Sequence, residues 1–338
     1  MHYGSAGTIA QYQEGYVSKT YHYQSAYLNK CLLNEMIIMK NVKHPNVLNS
    51  SSFIKHHSTT QIIMEHIPLD LSRYLQQIGS LSLASIRSII YRVLCGLNYL
   101  HSRGIMHRDI KPANILLKSP EFVKICDFSI SRDCQIIFNE RLQQYELTTP
   151  LTPHITSRFY RAPEVILMSL YDHKIDIWGL GCILGEMLMV MKYGEYKGPL
   201  FYGSSCFPLS PVSQHNLVGL YDQLETIMIY KGKLKEEDMV FITNKMPLKY
   251  VMDMNECVHH SSWSDMLDLI DNEAVDALNL MTTFNPKLRP SAENLLSHPF
   301  FASVRDPKLE LVGNDNPICL PYGLSNKATE DLICDQSN

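Results

Sequence analysis

Two long stretches of the chain carry apolar residues at helical spacing. Residues 83–100 place their apolar side chains on one face, which predicts an amphipathic helix packed against a core. That face consists of Ile86, Ile90, Val93, Leu97 and Leu100. The second stretch, Ile175–Met191, is apolar almost all round, yet it contains two acidic residues and is too short to cross a bilayer. It therefore predicts a helix buried in the core.

A shorter strand-like run near the N-terminus, Tyr16–Tyr21, contains Lys19. A helical pattern follows it, and Glu35 falls on the apolar face of that helix. A carboxylate on an apolar face needs a cation beside it. Taken alone, Lys19 would be an ordinary solvated strand lysine. Glu35, together with His44 just after the helix, favours an ion pair between strand and helix instead.

The densest group of reactive side chains is His107–Asn114, which follows the first long helix. An imidazole, a guanidinium, a carboxylate, an ammonium and a carboxamide fall within these eight residues, and Pro112 keeps them from forming ordinary helix. Catalytic side chains concentrate on loops held by a rigid frame, so the segment predicts a catalytic loop. A second segment, Val123–Ser129, predicts a strand that leads into a carboxylate, Asp127.

The composition narrows the class of protein. With 338 residues and 45% hydrophobic content, the chain is long enough to bury a core, as one large domain or as two lobes. A net charge of −4 gives no basic field for nucleic acid, so we expect no nucleic-acid partner. Because the longest apolar run is too short to cross a bilayer, we expect no membrane partner either. Nine scattered cysteines and no secretory leader predict reduced thiols in a cytoplasmic or nuclear protein.

Several motifs, in order and spacing, resemble those of protein kinases. They are the loop His107–Asn114, the turn Asp127-Phe128-Ser129, Ala162-Pro163-Glu164, Asp176–Gly181 and Arg289. The resemblance covers roughly residues 3–310. A long insert around 198–257 is typical of the CMGC kinase group. Phe284-Asn285-Pro286 and His298-Pro299-Phe300 narrow the resemblance to MAP kinases.

The resemblance implies an α+β, two-lobed kinase fold. We expect a small β-rich lobe over residues 1–67, shortened at its start, a helical lobe over 68–304 with the insert, and a C-terminal tail over 305–338 that shows no period after about 311. Gly4 matches the last glycine of the family's glycine-rich loop, which puts the first strand ahead of Met1. The alternative is that Gly4 and Gly7 belong to a simple N-terminal turn.

The implied activity is serine/threonine protein phosphorylation with ATP and Mg²⁺. By resemblance, Asp109 orients the acceptor hydroxyl and accepts its proton, and Lys111 steadies the γ-phosphate. Asn114 and Asp127 are the implied metal ligands, since Mg²⁺ prefers hard oxygen atoms.

The implied nucleotide contacts come from residues nearer the N-terminus. Lys19, held by Glu35, would grip the phosphates that are not transferred, and the backbone of Glu65 and Ile67 would meet adenine. Asp70 is expected near the ribose, although it could instead simply cap the helix that follows it.

The chain also departs from the family pattern. Ser129 replaces the glycine of the D-F-G turn, which predicts a less mobile Asp127. The T-x-Y phosphorylation motif becomes Thr152-Pro153-His154, so an upstream kinase could act there only at Thr152. The family's helix arginines that read this phosphate fall on Cys31 and Asn34, which leaves Arg108 and Arg132 of that cluster.

Two further expectations concern partners. Arg161 precedes Ala162-Pro163-Glu164, and by resemblance this arginine leaves a site that accepts proline after the acceptor, so Ser/Thr-Pro proteins are the implied substrates. The contrasting function is a pseudokinase, a binding module that uses the fold for partners, which the incomplete glycine-rich loop would favour.

Overall fold

A computed structural model describes residues 2–3, 7–23, 26–134, 136–139, 144–147, 157–206, 209, 222–259, 261–268, 270–313, 317–321, 328–329 and 331–333. The strands there are β1 (His2–Tyr3), β2 (Thr8–Gln13), β3 (Tyr16–His22), β4 (Ser50–Lys55), β5 (Thr59–Glu65), β6 (Leu69–Asp70), β7 (Ile105–Met106), β8 (Ile115–Ser119), β9 (Phe122–Ile125), β10 (Arg132–Asp133), β11 (Ile136–Asn139) and β12 (Gln144–Leu147). The helices are α1 (Ala26–Asn41), α2 (Leu71–Gln77), α3 (Leu83–Ser102), α4 (Pro163–Ile166), α5 (Lys174–Tyr193), α6 (Gln223–Lys231), α7 (Glu236–Met239), α8 (Lys245–Cys257), α9 (Trp263–Met266), α10 (Asn272–Met281) and α11 (Ala292–Leu296).

The N-terminal part is an antiparallel sheet with the strand order β1-β2-β3-β5-β4. The run predicted as a strand over Tyr16–Tyr21 forms β3 at the centre of this sheet, where Lys19 is paired with Ile9 of β2 and Ile62 of β5. A lysine in the middle of a sheet has its backbone fixed on both sides, so its side chain is aimed by the strand register.

The described part of the sheet starts with a strand of two residues, β1, which is paired to β2 with Tyr3 opposite Thr8. This pairing does not test whether the family's first strand lies ahead of Met1, and that expectation stays a prediction. Gly4 lies outside the described residues. A Cβ atom at Gly7 would come 2.8 Å from the Thr20 carbonyl oxygen. The chain can therefore enter β2 this close to β3 only with glycine there.

Helix α1 is anchored through the segment that follows it. The Leu48 N–H donates to the Ile125 carbonyl at 2.9 Å, and the Ile125 N–H donates to the Asn46 carbonyl at 2.9 Å. Ile125 ends β9, two residues before Asp127. The helix that carries Glu35 is thus tied to the strand that leads to the second predicted catalytic segment.

The two predicted long helices form the frame of the C-terminal part. Helix α3 matches the amphipathic pattern of residues 83–100, and α5 is buried along nearly its whole length, as predicted. A Cβ atom at Gly179 of α5 would lie 2.8 Å from the Ile110 carbonyl oxygen. The catalytic loop therefore rests directly on the α5 backbone, which fixes the loop's height above the core.

The C-terminal segment, which the sequence predicts as a tail without a period, packs against this frame. The Ile318 N–H donates to the Arg103 carbonyl at 3.0 Å, and the Leu320 N–H donates to Asp133 Oδ2 at 3.3 Å. Ile318 and Leu320 are both buried, whereas Cys319 between them is exposed. An extended segment buries every second residue, and two buried positions are too few to show as a period.

The boundary predicted between residues 67 and 68 falls in the connection between β5 and β6, and it stays a prediction. No helix in the described ranges is both long and apolar enough to span a membrane. The cysteines within those ranges are free thiols.

Candidate active site

A cleft of about 510 Å³ lies between the N-terminal sheet and the helical part. Except for Asp109, the predicted site residues all line it: Lys19, Glu35, Glu65, Ile67, Asp70, Lys111, Asn114 and Asp127. Val17 and Met64 contribute apolar surface from the sheet, and Leu116 contributes it from the opposite side. Residues as far apart in the chain as Lys19 and Asp127 therefore meet around one cavity of ligand size.

Asp109 lies at the edge of this cleft and holds the polar residues of its loop together. Its Oδ2 accepts hydrogen bonds from Lys111 Nζ at 2.6 Å and from Asn114 Nδ2 at 3.0 Å. Asn114 Nδ2 also donates to the Asp109 carbonyl at 2.8 Å. The Ser157 N–H donates to Asp109 Oδ1 at 3.1 Å. Both carboxylate oxygens are consequently fixed in direction.

The backbone of the catalytic loop is held from below by Asp176 of α5. Its oxygens accept the N–H groups of His107 at 2.9 Å and Arg108 at 2.8 Å. His101 Nε2 lies 2.9 Å from the same carboxylate. Burial acts to raise the pKa of Asp176, but these hydrogen bonds outweigh it and lower the pKa. Arg108 has φ of 70°, so the carboxylate stabilises a strained turn.

The predicted ion pair between Lys19 and Glu35 is present and extends to a third residue. Lys19 Nζ lies 2.9 Å from Glu35 Oε1, 2.8 Å from Oε2 and 3.0 Å from Asp127 Oδ1. Burial acts to lower the pKa of Lys19, but the two carboxylates raise it well above its ordinary value. Burial likewise acts to raise the pKa of Asp127, but the ammonium lowers it. Both groups are therefore charged at neutral pH.

The turn at Asp127 explains why serine is accepted in place of glycine. The left-handed conformation falls on Asp127, with φ of 66°, and not on Ser129. Serine therefore meets no backbone strain in this arrangement. The Ser129 N–H also donates to Asp127 Oδ1 at 3.4 Å, which helps to hold the carboxylate in the cleft.

The wall next to β5 is shaped by further ion pairs. Glu65 accepts hydrogen bonds from Lys118 Nζ at 2.7 Å and from Lys124 Nζ at 3.0 Å. Burial acts to raise the pKa of Glu65, but these lysines lower it. Asp70 caps α2 by accepting the Arg73 N–H at 3.0 Å, as the capping alternative predicted, and it also lines the cleft.

Sequence reasoning missed two side chains of the site. The Tyr21 hydroxyl donates to Glu35 Oε2. Its position was detectable, because residues two apart on a strand share a face and Tyr21 follows Lys19 by two. The second is Ser157, whose Oγ accepts a hydrogen bond from Lys111 Nζ at 3.0 Å. No local pattern marks that serine.

A third basic side chain, that of Lys30, lies near Arg108 and Arg132, the two arginines predicted to bind a phosphate. Burial and the guanidinium groups of Arg132 and Arg108 lower the pKa of Lys30 on α1. These three basic groups therefore lie near one another.

The described residues do not include Thr148, Thr149, Thr152, His154 and Thr156.

The profile of the protein kinase domain matches residues 4–199, more than half of the chain, so the chain belongs to the protein kinase family. It is 31% identical over 297 residues to "Extracellular signal-regulated kinase 1" of Dictyostelium discoideum and 32% over 296 residues to "Mitogen-activated protein kinase mpk-1" of Caenorhabditis elegans. It is 31% identical over 290 residues to "Mitogen-activated protein kinase HOG1" of Alternaria brassicicola. Within the family, the chain therefore belongs with the MAP kinases.

These alignments cover 86%, 85% and 85% of this chain, and 49%, 58% and 72% of the three relatives in the same order. The chain thus spans about half the length of the first two relatives. The predictions of a two-lobed protein kinase fold and of MAP-kinase relatives are confirmed.

Proposed function

We propose that this chain is a MAP-kinase-like serine/threonine protein kinase that transfers phosphate from ATP to protein substrates in the presence of Mg²⁺. One observation carries the proposal: the acid Asp109, the cation Lys111 and the metal-binding candidates Asn114 and Asp127 converge at one cleft with Lys19. Phosphoryl transfer requires this kind of positioning and charge neutralisation rather than covalent chemistry by the protein.

Asp109 is the group that orients the acceptor hydroxyl and takes its proton. Its two oxygens are fixed by Lys111, Asn114 and the Ser157 N–H, so an incoming hydroxyl meets a carboxylate of set direction. Lys111 lies within 2.6 Å of that carboxylate and neutralises negative charge where the transferred group passes. Lys111 also favours serine and threonine over tyrosine, by family resemblance.

Asn114 and Asp127 fit the requirements of a Mg²⁺ site. Because Asn114 donates through Nδ2 to Asp109, its Oδ1 is the atom that would bind the metal. No cluster of three or more His, Cys, Asp or Glu residues that could hold a metal occurs among the described residues. Mg²⁺ commonly combines one or two protein oxygens with substrate phosphates, and when bound it neutralises the phosphate charge.

The remaining nucleotide contacts follow the cleft wall. Lys19, aligned by Glu35, holds the phosphates that are not transferred. The backbone of Glu65 and Ile67 meets the adenine ring, since both residues line the cleft where β5 leads into β6. Asp70 combines capping of α2 with a position near the ribose.

Replacing Asp127 with alanine is expected to remove the magnesium dependence of nucleotide binding. In wild type, ATP with Mg²⁺ should raise the melting temperature more than ATP with EDTA, because the metal links the phosphates to this carboxylate. A thermal-shift titration of both proteins measures the difference. Asp276→Ala, an exposed carboxylate in α10, is the control and should behave as wild type. A Mg²⁺-dependent shift that survives in Asp127→Ala would contradict the assigned ligand.

Ser/Thr-Pro sites are the proposed substrates. Arg161 Nη1 donates to Cys206 Sγ at 3.5 Å, and Phe159, two residues earlier, stacks on Tyr202 with centroids 4.9 Å apart. The aromatic pair gives the apolar surface on which a proline ring would pack. On a peptide array, proline directly after the acceptor is expected to be the most enriched residue. An array without enrichment at that position would rule this specificity out.

Thr152 is the proposed site of an upstream kinase. By the family resemblance a phosphate there would pair with Arg108 and Arg132, and the charges of both arginines act on Lys30 of α1. The alternative of a pseudokinase that only binds partners was based on the incomplete glycine-rich loop. Gly4, which was matched to that loop, lies outside the described residues. The intact group of Lys19, Asp109 and Asp127 favours the enzyme. We expect the protein in the cytoplasm and the nucleus.

A further inference from the structure

Tyr21 lies on β3 where this strand faces α1, and its ring lies next to the Lys19 side chain. It is 1% exposed, and its hydroxyl donates to Glu35 Oε2. Lys19 Nζ lies 5.2 Å from the centre of the Tyr21 ring. Two side chains of β3, those of Lys19 and Tyr21, therefore both bond the Glu35 carboxylate. Burial and the Glu35 charge raise the pKa of Tyr21 well above its ordinary value, so the phenol keeps its proton and remains a donor.

Asn34 provides a second connection of the same helix. Asn34 Nδ2 donates at 3.2 Å to the carbonyl of Ser131, which lies shortly after Asp127. The Ser131 hydroxyl in turn donates to the His107 carbonyl at 3.1 Å. Helix α1 is thereby linked to the catalytic loop through Ser131, by hydrogen bonds between uncharged groups. At the position of Asn34, the family resemblance predicts an arginine that binds a phosphate.

We propose that Tyr21 is a positioning residue that holds Glu35 against Lys19, so that α1 keeps its catalytic placement without a phosphate on the segment that contains Thr152. The proposal rests on the proposed kinase function. Kinases need the lysine–glutamate pair and the metal-binding aspartate in place together, and phosphorylation commonly controls that state. Here the hydrogen bonds of Tyr21 to Glu35 and of Asn34 to Ser131 hold α1 in place directly. The protein is therefore predicted to be active before phosphorylation and to gain little activity from it.

Steady-state kinetics of the full chain, treated with phosphatase and shown by mass spectrometry to carry no phosphate, test the proposal. Tyr21→Phe keeps the ring and loses the hydroxyl, so kcat is expected to fall by roughly tenfold or more, the size of one hydrogen bond to a charged group. The KM for the peptide should not change. Tyr23→Phe is the matched control, because Tyr23 is two residues further on and its hydroxyl bonds Thr60 instead of Glu35.

A double-mutant cycle separates positioning from general packing. In a Glu35→Ala background, Tyr21→Phe should cause no further loss, since the partner through which it acts has already been removed. A full tenfold loss in that background, an equal loss in Tyr23→Phe, or wild-type activity that requires phosphorylation would each overturn the proposal.

Hydrogen exchange distinguishes failure of this proposal from failure of the kinase function. If wild type transfers no phosphate under any condition, the proposed function is wrong, but exchange of the α1 amides still tests the placement. Faster exchange in Tyr21→Phe than in Tyr23→Phe would support the positioning role, and equal exchange in the two variants would contradict it.

Discussion

Replacing Asp109 with asparagine is expected to lower kcat for phosphoryl transfer by roughly 10²–10⁴-fold, the usual contribution of a positioned acid–base group. The amide keeps the size of the side chain but cannot accept the hydroxyl proton. It also loses the charge that aligns Lys111 at 2.6 Å. Transfer of labelled phosphate from ATP to a Ser-Pro peptide measures the effect.

The loss should appear in catalysis alone. Asp109 is buried in its loop but does not line the nucleotide cleft, so ATP should stabilise Asp109→Asn as much as wild type. Asp276→Asn, on the exposed part of α10, is the matched control and should retain full activity. Equal turnover by wild type and Asp109→Asn would mean that the aspartate plays no part in transfer.

Replacing Arg289 with methionine is expected to destabilise the protein by roughly 3–5 kcal/mol, the usual cost of leaving one buried charge without its partner. Arg289 binds Glu164 through two bonds of 2.7 and 3.0 Å, and Nε also donates to the Thr283 carbonyl at 3.0 Å. Both ionic side chains are fully buried. The melting temperature should fall by roughly 4–7 °C, as calorimetry would show.

Arg305→Met provides the matched control for burial. Arg305 also binds a glutamate, Glu310, through two bonds of 2.8 and 3.0 Å, but 43% of its side chain is exposed. Water replaces such a partner readily, so the variant should melt within error of wild type. Equal melting temperatures for Arg289→Met and Arg305→Met would contradict the account based on burial.

The sequence predicted those features that a local pattern encodes. The periods of α3 and α5, the strand at Lys19 and the motifs of the catalytic loop each lie within about twenty residues, and each predicts an element or a side chain of the cleft. The pairing of Lys19 with Glu35 could also be predicted, because a carboxylate on an apolar helix face needs a cation.

Features that depend on distant packing escaped prediction. The burial of Ile318 depends on Arg103, more than two hundred positions earlier, and no periodicity in the segment itself shows this. The link of Asn34 to Ser131 likewise depends on how α1 sits against the turn after Asp127. The strand β1 was not predicted, because two residues are too short a run to carry an alternating pattern.

The central claim is that the cleft transfers phosphate rather than only binding partners. The most direct measurement supplies purified wild type with labelled ATP, Mg²⁺ and a Ser-Pro peptide, alongside the same peptide with alanine at the acceptor. The account predicts many turnovers on the serine peptide, none on the alanine peptide, and a rate for Asp109→Asn at least a hundredfold lower, on the order expected for a lost acid–base group. Background labelling that is the same for both peptides and both proteins would contradict it and favour a binding module.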